Sequence, residues 1–301
     1  MSTASNATRF TALFDNSILS RLERLRLNSL RRLTVRSRGE HQTGKGGTST
    51  EFADYRDYVP GDDVKNVDWN IFSRLNRPYI KLYRHEEEMH VVLLIDASTS
   101  MQFEGKLQLA KQLAGACGLM GLMNSERVSV YACHHLGKSP ELLPPCTGRV
   151  SLRRLFRFIE EIQAGGDTPL EAAVDVLLRQ HRGRGVVVLL SDFLTLGDIN
   201  PALNSLFSAG LEIHAVQILS EPELHPELTG DIRLVDSETG ETLDISGAAE
   251  LFNIYQDQLA WQEMQLTADC QKRSGRFMRV STSTPLDSIL FDAFRRKGWI
   301  R

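Results

Sequence analysis

The chain has 301 residues, of which 42% are hydrophobic and 24% charged, with a net charge of −3. That balance is the balance of a soluble globular protein, long enough for one large domain or for a domain with a smaller module. It excludes a low-complexity chain, and the strand-sized apolar runs fall well short of the roughly 20 residues that cross a bilayer. The N-terminus carries no apolar signal region. The four cysteines, Cys117, Cys133, Cys146 and Cys270, show neither metal nor redox spacing. Cys117 and Cys133 sit in apolar segments and are expected to be reduced core thiols. A cytoplasmic setting is therefore expected, without stable insertion into a membrane.

Residues 1–38 form the first segment. They hold eight arginines against Asp15 and Glu23, a net of +6 that leaves −9 for the rest. Ile18, Leu22, Leu25, Leu30 and Leu33 recur near helical spacing, which predicts an amphipathic helix docked on the body with its arginines facing solvent. The rival reading is a basic surface for nucleic acid.

Residues 39–89 are rich in turns and aromatics, with glycines from Gly44 to Gly47 and a Pro60-Gly61 turn. An alternating strand over 79–84 closes the segment, so a small β-rich module is expected.

From residue 90 onward, apolar strands alternate with amphipathic helices. Strands are predicted over 91–96, 127–133, 186–192, 211–218 and 277–280. Helices are predicted near 104–123, 151–163, 169–181, 200–209, 248–273 and 285–297. Such alternation implies an α/β fold, a doubly wound and mostly parallel sheet, over 90–301. Residues 231–246 interrupt it with the pattern of a hairpin, which is expected to join the module of 39–89.

The chemistry concentrates where the first core strand ends. Val91 to Ile95 are all apolar, Asp96 follows, and Ser98 and Ser100 alternate behind it. A strand buried on both faces puts those oxygens on the loop at its carboxyl end, where open α/β sheets hold ligands. A second apolar strand ends on Asp192, and Thr168 stands in a Gly165-Gly166 loop ahead of a helix. Each residue also has a plain structural role, as a helix cap or turn former. Together, Asp96, Ser98, Ser100, Thr168 and Asp192 make an oxygen set suited to Mg²⁺, which wants six oxygens near 2.1 Å. Ca²⁺ and Mn²⁺ are not separated from it by sequence.

This pattern resembles the von Willebrand factor type A fold and its metal-ion-dependent adhesion site, whose five positions are matched in order by those five residues. The resemblance implies that the hydroxyls bind the ion directly or through water, that the aspartates act through water, and that a carboxylate from a partner completes the octahedron.

Residues 51–101 carry a more specific likeness. Glu51-Phe52, Arg56 with Tyr58, Gly61-Asp62-Asp63, Asp68-Trp69 and Ser73-Arg74, followed by the Asp96 strand, resemble domain-of-unknown-function family 58. The family likeness extends over nearly all of the chain after the N-terminal segment. It implies work beside a MoxR-type AAA+ ATPase, as adaptor or co-chaperone for an unidentified client protein. Within the signature, Arg56 and Arg74 are expected to pair with Asp62, Asp63 or Asp68, and Trp69 to plug a core beside Phe52, Tyr55 and Tyr58.

Two other function classes compete with an interaction module. A Mg²⁺-dependent phosphatase of the haloacid-dehalogenase type would use Asp96 as nucleophile, but it needs a second aspartate where Ser98 stands. No Gly-x-x-x-x-Gly-Lys phosphate cradle is present either. Catalysis is not expected. Nucleic-acid binding rests on the N-terminal arginines alone and would weaken steeply with salt.

Overall fold

The computed structural model describes residues 10–29, 34–35, 50–86, 89–133, 140–166, 170–181, 183–194, 198–226, 232–235, 242–245 and 248–301. The chain divides into two compact units, one of residues 31–88 and one of residues 1–30 with 89–301.

The N-terminal helix of the larger unit, α1 (Asn16–Leu22), is shorter than the leucine spacing predicts. Leu13, Phe14 and Leu22 are buried, so the segment does dock. Beyond Leu22 the chain extends instead. Leu27 bridges Ile300, and Arg26 and Arg301 exchange backbone hydrogen bonds of 3.0 Å each way. Leu25 closes a turn onto the Leu22 carbonyl at 3.1 Å and Leu27 runs along the C-terminal residues, while Leu30 and Leu33 lie outside the described residues. Arg21 is taken up by this body: it pairs with Asp287 at 2.9 Å and lies 3.5 Å from the Phe291 ring centroid.

The smaller unit is an antiparallel sheet of order β1-β3-β2, built from β1 (Thr34–Val35), β2 (Thr50–Asp57) and β3 (Tyr79–Glu86). Helix α2 (Trp69–Leu75) connects the last two. Arg56 clasps Asp62 through two bonds of 2.7 and 2.6 Å, and Asp62 also accepts the Val59 N–H, which staples the Pro60-Gly61 turn. That clasp holds the Asp62 carboxyl down at about 2. Asp68 is buried and caps α2, accepting from the Asn70 and Ile71 amides and pairing with Lys81 at 3.1 Å. The expected tryptophan plug is not there. Trp69 is 60% exposed, and the buried side chains nearby are Val67 and Ile80. With Asp68 committed as the cap, Trp69 becomes the first helical residue and packs edge-on to Phe72 on the helix's own surface.

The larger unit holds a six-stranded sheet of β4 (His90–Asp96), β5 (Arg127–Cys133), β6 (Glu141–Cys146), β7 (Gly185–Ser191), β8 (Leu211–Leu219) and β11 (Arg276–Ser281). Its order is β11-β8-β7-β4-β5-β6, parallel throughout except for β6. The five parallel strands include every strand predicted from the apolar runs. The unpredicted β6 carries Pro144-Pro145, residues a sheet tolerates only at its edge, and β6 is an edge strand. The hairpin of β9 (Ile232–Val235) and β10 (Thr242–Ile245) forms a two-stranded sheet of its own rather than joining the smaller unit's sheet.

Helices α3 (Lys106–Met123), α4 (Leu152–Glu161), α5 (Leu170–Gln180), α6 (Asn200–Ser208), the one-turn α7 (Glu221–Leu224), α8 (Ala248–Lys272) and α9 (Phe294–Arg296) complete the unit. Alternation along the central strand divides them between two layers. Val92 and Leu94 of β4 pack in a core with residues of α5, α6 and α8. Val91 and Leu93 turn to α3, where glycines let the helix close on the sheet. A Cβ on Gly118 would stand 2.6 Å from a Leu155 methyl and 3.1 Å from one of Leu93, and a Cβ on Gly121 2.8 Å from one of Val128. The doubly wound parallel sheet expected from the sequence is therefore the observed architecture.

Candidate metal centre at the carboxyl edge of the sheet

Strand order decides where a site forms. The chain leaves β4 toward β5 on one side and later returns to β7 on the other. The crevice at the carboxyl ends of β4 and β7 is thus a topological switch point, the usual ligand position of an open α/β sheet. Asp96 ends β4, and Asp192 is the first residue beyond β7.

Asp96 is buried and doubly bonded. Oδ1 accepts the Ser98 amide at 2.9 Å, and Oδ2 accepts the Ser191 hydroxyl at 2.5 Å. Burial raises the Asp96 carboxyl above the ordinary carboxylate range, and the nearby Asp192 raises it further, against the lowering effect of the serine bonds. The Ser98 and Ser100 hydroxyls lie 3.0 Å apart. Adjacent ligands of an octahedral ion with bonds near 2.1 Å are also separated by about 3 Å. One spacing therefore serves a hydroxyl–hydroxyl hydrogen bond and an edge of a Mg²⁺ shell.

The Gly165-Gly166 loop is laced to this corner. Gly165 N–H donates to the Ala97 carbonyl at 2.8 Å, and Thr99 donates to the Gly166 carbonyl through its amide at 3.0 Å and its hydroxyl at 3.2 Å. Gly166 takes φ of +82°, a conformation that favours glycine. Thr168, two residues further on, lies outside the described residues.

Asp192 is buried as well, and its carboxylate is already engaged. Oδ1 accepts the Leu194 amide at 3.1 Å, and Oδ2 accepts the Lys106 ammonium at 2.8 Å. Lys106 is fully buried and also donates to Glu223 Oε1 at 2.6 Å. Glu223 belongs to the capping box of α7, where its other oxygen accepts from the Ser220 amide and hydroxyl. Beyond Asp192 the backbone is strained, with Phe193 at φ +53°. Gln217 donates to the Asp192 carbonyl at 2.9 Å and Gln262 to the Phe193 carbonyl at 2.6 Å, which hold the turn.

Four of the five residues singled out by sequence, Asp96, Ser98, Ser100 and Asp192, thus stand on two neighbouring strand ends. Among the described residues, no group of three or more His, Cys, Asp or Glu side chains is arranged to hold a metal. The donors here are two carboxylates and two hydroxyls instead, a hard-oxygen set whose chemistry fits Mg²⁺ better than a thiophilic ion. Cys133, paired in register with Asp96, is a buried thiol pushed well above its ordinary range by burial and by that aspartate.

Sequence reasoning missed Ser191, Lys106 and Glu223. Ser191 is the lone hydroxyl closing an otherwise apolar strand. Lys106 had a signal too: a lysine opening a helix faces the positive end of the helix dipole and needs carboxylates to offset it.

Comparison with other proteins places the chain in context. The sequence profile described as "Protein of unknown function DUF58" matches residues 54–264. Uncharacterized protein Rv1480 of Mycobacterium tuberculosis is 29% identical over 241 residues, 77% of this chain and 74% of that protein. Among solved structures, an aerotolerance-related membrane protein from Bacteroides fragilis aligns with TM-score 0.41 at 18% identity, covering 70% of this chain and 98% of the other. A von Willebrand factor type A protein from Catenulispora acidiphila aligns with TM-score 0.36 at 17% identity, covering 45% and 34%. Among the described residues, no helix is long and apolar enough to cross a membrane.

Proposed function

The chain belongs to the DUF58 family, and from that premise we propose that it is a metal-dependent protein-interaction module rather than an enzyme. In this reading Ser98, Ser100 and Thr168 offer hydroxyls to a divalent ion, Mg²⁺ first, while Asp96 and Asp192 hold its water ligands. With neutral hydroxyls nearest, the bound ion supplies a strongly electrophilic position for an acidic side chain of a partner. The protein's own part is to orient the donors. Ser191 and the Ser98 amide fix the Asp96 carboxylate, the Leu194 amide fixes that of Asp192, and the Gly165-Gly166 loop closes over Ala97 and Thr99.

The observation that carries the reading is the 3.0 Å separation of the Ser98 and Ser100 hydroxyls beside two buried carboxylates at the switch point. The family likeness extends the proposal to a MoxR-type AAA+ ATPase and a client protein in the cytoplasm, with this chain as adaptor or co-chaperone.

The test is co-purification with wild type and Asp96→Ala, each in Mg²⁺ and in EDTA. A partner retained only by wild type in Mg²⁺ supports the proposal. Equal retention in EDTA, or by Asp96→Ala, removes the metal from it. Phosphate release from a small ester that depends on Asp96 would replace it with the enzyme reading.

A further inference from the structure

Lys106 is the least expected feature of this corner. It lies six residues beyond Ser100, opens α3, and has no exposed surface. An ammonium removed from water is costly unless paired, and this one has carboxylates on both sides, Asp192 at 2.8 Å and Glu223 at 2.6 Å. With Asp96 near Asp192, three carboxyl groups and one ammonium cluster at this corner of the sheet. The Asp192 oxygen that meets Lys106 belongs to one of the groups that the proposed function assigns to the ion.

We propose that Lys106 is an internal cation that competes with the divalent ion for Asp192, so that the site folds without metal and takes it up only weakly and reversibly. The inference rests on the metal-site reading above and adds its regulation. Two observations support it. The lysine supplies Asp192 with a buried counter-charge from within the fold, so the two neighbouring carboxyl groups do not depend on a metal to offset their repulsion. Its second partner, Glu223, sits on α7, a turn fixed to α8 because the Tyr255 hydroxyl donates to the Glu223 carbonyl at 2.6 Å and Gln256 donates to the Leu224 carbonyl at 2.6 Å. Glu223 would therefore remain in place to keep the ammonium if Asp192 released it to a divalent ion. Lys106 acts through Asp192 and, having no exposed surface, does not itself meet a partner protein.

The experiment is calorimetric titration of the full chain with MgCl₂, together with melting temperatures in Mg²⁺ and in EDTA, for wild type, Lys106→Met and Glu223→Gln. Loss of the competing cation should tighten Mg²⁺ binding by about tenfold or more, the scale on which groups behind a metal's ligands act. It should also widen the gap between the melting temperatures in Mg²⁺ and in EDTA. Glu223→Gln leaves the ammonium to Asp192 alone and should weaken binding, which keeps the idea testable if Lys106→Met does not fold. Unchanged or weaker binding by a folded Lys106→Met, or unchanged binding by Glu223→Gln, overturns the competition while leaving the metal site standing. No Mg²⁺ binding by any of the three proteins overturns both.

Discussion

Ser191 reaches across from the end of β7 to Asp96 at the end of β4, its hydroxyl donating to the Asp96 carboxylate at 2.5 Å. The same oxygen accepts the Phe193 amide at 2.9 Å, so one small side chain ties the two strand ends to the strained turn after Asp192. Both partners are buried, and a buried acceptor left without its donor costs about 1–3 kcal/mol. Ser191→Ala should therefore lower the unfolding free energy by about that amount, measured by urea denaturation. Losing the bond also removes a force that holds the Asp96 carboxyl down, so the variant's Asp96 should titrate higher still. Stability equal to wild type would show that Asp96 does not depend on this bond.

Metal binding and stability are linked if the site is as proposed. Anything that binds only the folded chain stabilises it, by about 2.7 kcal/mol when its concentration is a hundred times Kd. The melting temperature of wild type should therefore climb with MgCl₂ and fall back on chelation. Ser98→Ala and Asp96→Ala should be indifferent to both treatments. A climb of the same size in Asp96→Ala would mean that Mg²⁺ acts elsewhere on the surface.

What could be read from the sequence follows from what burial does to residue patterns. The inner parallel strands are buried on both faces, so runs such as Val91–Ile95 and Val186–Leu190 are continuous in sequence and stand out. β6 is half exposed and holds two prolines, so nothing in its composition marks a strand. Leucine spacing over-read α1 because Leu27 is buried by a bridge to Ile300, a contact 273 positions away that leaves no local signature. Asp96, Ser98 and Ser100 were legible because a single loop carries all three. Ser191 and Glu223 depend on which strand lies beside which, and that appears only when the sheet is assembled.

Trp69 and Trp299 separate the aromatic residues that hold the fold from those that do not. Trp69 is 60% exposed on α2, whereas Trp299 is 1% exposed and stacks near His214 and Phe294 with ring centroids 4.8 and 5.0 Å away. Removing a buried aromatic side chain costs about 3–5 kcal/mol, and surface changes stay within about 0.5 kcal/mol. Trp299→Ala should thus destabilise the larger unit severely, while Trp69→Ala leaves the denaturation midpoint unchanged. The intrinsic fluorescence of Trp69, isolated by subtracting the Trp69→Phe spectrum, should have the red emission of a solvated indole. A blue-shifted Trp69 emission would place it in a core after all.

Acid sensitivity should arise at the opposite end of the sheet. His90 begins β4 with its Nδ1 3.0 Å from His181 Nδ1 and its Nε2 2.9 Å from the Ser129 hydroxyl, and the two rings stack with centroids 5.1 Å apart. Like nitrogens facing each other at that distance hold one proton between them, so the two rings cannot both be charged in this arrangement. Burial lowers His90 to about 3, with His181 and Arg127 adding to the effect. In the unfolded chain it titrates at the ordinary 6.5. Between those values the unfolded state binds the extra proton, so stability rises with pH and is lost as pH falls from 6.5 toward 3, by up to about 1.4 kcal/mol per unit. Denaturation midpoints taken from pH 7 to pH 4 should therefore drop in wild type with a slope that His90→Asn reduces by about one proton. The variant starts lower, having lost part of a buried network, yet its curve is flatter, and that change of slope separates titration from simple loss of packing. Parallel curves for the two proteins would mean that the acid loss comes from other groups.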